Sequence, residues 1–159
     1  MHITTPHALP CQPRPVTHTD ISSFVQLRSL MILCDTDEQQ ANQLCTQPFE
    51  HLSYLHLASF ANNVMKGSYQ SLMEKIFSNG FPALRVCHLP QAMRPRHINT
   101  PSSPAISVIS LAKSTFTVLA EIVRCVPNAT HLTVKDLADV SKLPSSFFLD
   151  IIGKAMCTS

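Results

Sequence analysis

Cys87 and His88 are neighbours in the chain, and a thiol beside an imidazole is the raw material of a nucleophile with its base. On a strand that pairing fails, because residues i and i+1 point to opposite faces, which sends Cys87 to a core and His88 outward. His56 sits in a segment patterned like the one around His88. If the two segments pair as adjacent strands, about 4.8 Å apart, their rings become neighbours. Two imidazoles side by side offer a pH-sensitive pair or half of a metal site. A structural zinc wants about four ligands, and the pattern puts no carboxylate or thiol beside the pair, so two solvated polar side chains are expected. Asp35, Asp37 and Glu38 have the composition of a cation loop, but acidic groups at the start of a helix explain them better. The chain carries no phosphate loop, nucleophile elbow or zinc-hydrolase motif. The expectation is a chain with no catalytic residue, no cofactor and no metal.

The elements that position these residues repeat. Phe24, Leu27, Leu30 and Ile32 set an apolar-x-x-apolar-x-x-apolar-x-apolar pattern. It returns at Phe49, Leu52, Leu55 and Leu57, and again at Phe81, Leu84, Cys87 and Leu89. Two fainter copies follow, at Ser103, Ile106, Ile109 and Leu111 and at Val126, Ala129, Leu132 and Val134. Three of the four intervals fall within about 20–29 residues, and the second carries a small insertion. Between the strands lie helical stretches. Residues 39–45 follow the acidic start and end at Pro48; residues 63–77 group Val64, Met65, Leu72, Met73, Ile76 and Phe77 at helical spacing, closed by Asn79 and Gly80. Ser114 or Thr115 caps a third helix through Cys125, with Phe116, Leu119, Val123 and Val126 along one side. Residues 91–103 read as a loop around Arg94, Pro95, Arg96 and Pro101. A last helix is expected from Ser145 or Ser146 to Met156.

Strand, crossover, strand of the same kind requires parallel pairing. The fold class is therefore α/β: a short, irregular solenoid with a parallel sheet on the concave side and helices outside. Residues 1–19, rich in proline and histidine, form a poorly ordered leader, and residues 20–159 form one repeat domain. Apolar pattern positions face the core and their neighbours face the open side. Those outward neighbours are Ser29, Met31 and Leu33; Tyr54, His56 and Ala58; Val86, His88 and Pro90; Val108, Ser110 and Ala112; and His131, Thr133 and Lys135. The candidate partner-binding residues are Met31, Tyr54, His56, Val86, His88, Val108, Ser110, His131, Thr133 and Lys135. A mostly neutral face with exposed Met, Tyr and Val favours a protein partner. Phe24, Phe49 and Phe81 are expected to stack in the core.

Composition narrows the rest. A net charge of +2 over 159 residues, without basic blocks, argues against nucleic acid and anionic membranes. No apolar run approaches the roughly 20 residues that cross a bilayer. The six cysteines never form Cys-x-x-Cys, and Cys87 and Cys125 replace apolar residues, so reduced, buried thiols are expected. With no secretory signal at the N-terminus, the expected compartment is cytoplasmic or nuclear, and the glycosylation sequon at Asn128 is read as chance.

The repeat resembles the leucine-rich repeat, specifically the divergent repeats behind the F-box of F-box proteins. The likeness rests on the runs starting at Phe81-Pro82 and Val126-Pro127, where a helix exits through proline into a Leu-x-x-Leu-x-Leu strand, and spans roughly residues 24–140. It implies a non-catalytic recognition module, the substrate-binding part of an F-box-like ubiquitin-ligase receptor with ubiquitin-ligase components among its partners. The positions of the consensus Asn or Cys hold Asp35, Phe60, Ala92, Ser114 and Leu137, so no asparagine ladder is expected. The F-box itself is not expected in the chain. A stand-alone scaffold or inhibitor, and a small α/β enzyme using Cys or His chemistry, are the alternatives.

Overall fold

The computed structural model describes residues 21, 24, 26–61, 66–93 and 103–138. Its elements alternate: β1 (Ser29–Thr36), α1 (Glu38–Thr46), β2 (Tyr54–Phe60), α2 (Lys66–Phe77), β3 (Val86–Gln91), β4 (Val108–Thr115), α3 (Phe116–Cys125) and β5 (His131–Ala138). The five strands form one sheet in sequence order, every neighbour parallel. The expected leader, residues 94–102 of the loop expected over 91–103, the part of the expected second helix before Lys66, the helix expected over 145–156, and Cys11 and Cys157 lie outside the described residues; Gln91, expected in that loop, ends β3.

The sequence repeat is visible in the backbone. Before each strand a tight turn closes with an i+3 to i hydrogen bond: Leu27 to Phe24, Leu52 to Phe49, Leu84 to Phe81, Ile106 to Ser103 and Ala129 to Val126, at 3.0–3.4 Å. Four residues beyond each turn start, one carbonyl accepts two amides of the next unit. Arg28 O takes Ser53 N at 2.8 Å and Tyr54 N at 3.1 Å; Ser53 O does the same for Arg85 and Val86, Arg85 O for Ser107 and Val108, and Ser107 O for Thr130 and His131. These shared carbonyls lock the register of each strand onto the one before it.

Burial follows the two-residue period. Leu55, Leu57, Cys87, Leu89, Ile109 and Leu111 are buried together with Leu44, Leu72, Met73, Ile76, Leu119 and Ile122 of the helices. The helices therefore cover that face of the sheet. Outward residues of the central strands are half-buried apart from the exposed Ala58, and those of β1 and β5 are exposed. Phe49 and Phe81 pack with centroids 6.4 Å apart. Phe24 departs from the expectation: it is 52% exposed, because β1 is the edge strand and no preceding described unit lies over its turn. On α3 the buried side is Leu119, Ile122 and Cys125, while Phe116 and Val123 are only half-buried.

Local chemistry sets the helix ends. Asp37 caps α1 through Gln40 N at 2.8 Å, and Gln40 Oε1 accepts from Asp37 N, a capping box. Helix α1 ends at Thr46 with the extended Gln47 as its C-cap, one residue before Pro48. Thr115 caps α3. At the end of α2, Asn79 takes φ 64° and Gly80 N returns to Lys75 O at 2.8 Å, the bond of a Schellman motif. Ser103 stands where earlier repeats carry phenylalanine. Buried, its hydroxyl donates to Ile76 O at 2.8 Å and accepts from Asn79 N at 3.0 Å, tying the end of α2 to the fourth unit.

Candidate binding face and its ring cluster

The shared-carbonyl ladder places outward residues in columns. Ser29, Tyr54, Val86, Val108 and His131 pair across the sheet as one column. Met31, His56, His88, Ser110 and Thr133 form the next. Alternation along each strand carries the pattern on to Leu33, Ala58, Pro90, Ala112 and Lys135. All ten candidate binding residues thus share one face, and no described helix covers it. Met31 is 51% and Leu33 69% exposed there, with the half-buried Tyr54, Val86 and Val108 beside them.

His56 and His88 are register partners with ring centroids 5.2 Å apart, and Tyr54 lies diagonally against His88 at 5.5 Å. The three tilted rings form one cluster on the open face of the central strands. Burial, then the neighbouring His56 and Lys135, hold the His88 imidazole below its ordinary value, so the ring favours its neutral form. Among the described residues no group of three or more His, Cys, Asp or Glu could hold a metal. Cys87 faces the core directly behind His88, fully buried, and burial pushes its thiol up to about 12. The adjacent thiol and imidazole therefore cannot act on one substrate. Cys125 is likewise buried and its thiol raised by burial and Glu121, whereas Cys34 is exposed on β1, against the expectation of buried thiols throughout.

Sequence reasoning placed the columns but missed what surrounds them. A bulge in β1 between Ile32 and Asp35 shifts the end of that strand, so that Asp35 pairs Ser59 and accepts its hydroxyl. Behind the sheet, Tyr69 of α2 packs on Phe60 at 4.3 Å and donates to Gln91 O; burial, then Cys87, raise its phenol. A helical tyrosine at an otherwise apolar position was the available signal. The acids before α1 serve as the expected helix start, with Asp37 the cap and Glu38 accepting from Ser68 on α2.

No protein-family model, curated protein or solved structure matches the chain. Among the described residues no helix is long and apolar enough to cross a membrane.

Proposed function

We propose that the chain is a non-catalytic protein-binding module, a short leucine-rich-repeat-like solenoid whose partner sits on the open sheet face. The carrying observation is Met31 and Leu33 standing exposed on the side of a parallel sheet that no described helix covers. Parallel sheets are ordinarily covered on both faces, so an open, mostly neutral face bearing Met, Leu, Tyr and Val suits a protein surface. The five identical turns and shared carbonyls support the solenoid reading, since each unit docks only on its neighbours. Inward-facing Cys87 supports the non-catalytic one.

The biological role proposed, from the resemblance of the repeats alone, is substrate recognition for an F-box-like ubiquitin-ligase receptor in the cytoplasm or nucleus. Affinity purification of the tagged chain from its native cells, followed by mass spectrometry, tests it. Reproducible cullin-ligase components support the receptor role. One reproducible partner without them leaves a scaffold or inhibitor and removes the ubiquitin connection.

A further inference from the structure

We infer that the rim at the start of the strands is a second binding surface, which takes an acidic, extended peptide segment of a partner protein. It lies apart from the open sheet face and does not depend on that face being occupied. A groove of about 630 Å³ opens there, lined by Arg28, His51, Ser53, Arg85 and Ser107 over a floor of Pro82, Ala83 and Ala105. That volume falls within the roughly 300–1,000 Å³ of ligand-binding clefts.

The groove is a product of the repeat. Arg28, Ser53, Arg85 and Ser107 are equivalent residues of successive units, linked carbonyl to amide, so the rim reads long cation, small hydroxyl, long cation, small hydroxyl. Ser53 between two arginines leaves a trough, and its hydroxyl donates to Arg28 O at 3.0 Å, as that of Ser107 does to Arg85 O at 3.2 Å. Both hydroxyl protons are engaged, which leaves the guanidiniums and His51 to meet a ligand. Arg28 and Arg85 are exposed, and neither guanidinium has an ion-pair or hydrogen-bond partner among the described residues. Among the described residues no acid lines the groove; Glu50 adjoins His51 but is not part of the lining. Charge complementarity therefore selects anionic groups, and the carboxylates of a peptide are ones that guanidinium forks bind with two parallel bonds.

Spacing sharpens the ligand. Arg28 and Arg85 are two strands apart, about 10 Å along the rim. A polyproline II segment rises about 3.1 Å per residue and brings every third side chain to one side, so acids three residues apart repeat at about 9 Å. The small apolar floor accommodates the prolines or alanines between them.

The test uses the full chain and a fluorescein-labelled, amide-capped peptide of repeating Glu-Pro-Ala, read by anisotropy at low and physiological salt. The expected result is saturable binding that weakens with salt and falls at least about tenfold in Arg28→Glu/Arg85→Glu. The control Lys113→Glu/Arg124→Glu changes the net charge equally away from the groove and should retain binding, as should the circular dichroism spectrum of both variants. A Gln-Pro-Ala peptide should not bind. Equal loss in both double variants would reduce the effect to net charge and overturn the site. Binding of a phosphoserine version without the glutamate one would overturn the carboxylate assignment. No binding of any peptide would overturn the proposal outright.

Discussion

The ammonium of Lys75, on α2, donates to the carbonyl of Leu44, on α1, at 3.0 Å. It also reaches Cys45 O at 2.9 Å and Gln47 O at 2.7 Å while lying 4.9 Å over the Phe81 ring. One side chain thus caps the C-terminal end of the neighbouring helix, where carbonyls lack partners and the helix dipole is negative. It also joins two successive units. Burial lowers its pKa and the neighbouring Cys45 opposes that.

Lys75→Met keeps most of the stem and removes the three bonds. The expected loss is about 2 kcal/mol, the usual range for hydrogen bonds to a charged group. A urea midpoint that falls at unchanged slope would agree with this; an unchanged midpoint would mean water satisfies the α1 carbonyls as well.

Gly80 and Asn79 make opposite predictions at adjacent positions. A Cβ at Gly80 would lie 2.3 Å from Lys75 Cγ and 2.7 Å from Lys75 O, so Gly80→Ala must displace backbone and is expected to lose about 1–3 kcal/mol. Asn79→Gly relieves a left-handed φ of 64° and is expected to be neutral or stabilising by up to about 1 kcal/mol. Thermal melts of the two variants on the same day decide the pair, and the reverse order would contradict the Schellman closure.

His88 makes stability depend on pH in a defined direction. Its folded pKa lies below the 6.5 of a free imidazole, so between those two values the unfolded chain binds the proton and the folded chain does not. The His88 contribution is fully present above pH 6.5 and is lost as pH falls through the folded value. Urea unfolding across this interval should therefore show a slope that His88→Gln flattens. An identical slope in the variant would put the dependence on other groups.

The thiols should separate by exposure. Cys34 is expected to react with a disulfide reagent in the native chain, and Cys87 only after unfolding, since its thiol is pushed up to about 12 and fully buried. Peptide mapping after timed alkylation reads both. Fast native labelling of Cys87 would reopen thiol chemistry beside His88.

Much of this architecture can be read in the residues. The Leu-x-x-Leu-x-Leu copies announced five parallel strands because an inward side chain every second residue is a local signal, repeated five times. The pairing of His56 with His88 followed from register alone. Helix α1 was legible because Asp37 and Glu38 set acidic groups at its start, although the Asp37–Gln40 capping box was not read. Other features depend on neighbours distant in the chain. Phe24 matches Phe49 and Phe81 in type, yet its exposure is decided by its place at the sheet edge. The roles of Lys75 and Ser103 arise from units about thirty residues away, and neither residue type advertises them. The Arg28, Ser53, Arg85, Ser107 rim holds one position of the repeat but stands outside the apolar pattern, and the shared carbonyls show it as a column.

The open face is tested most directly by purifying the tagged wild-type chain and a Met31→Asp/Leu33→Asp variant in parallel from the same cells and quantifying what accompanies each. Both side chains are exposed, so the variant is expected to keep its thermal midpoint while recovery of the partner falls at least about tenfold. Equal recovery by a folded variant, or no reproducible partner for the wild type, would contradict protein binding on this face.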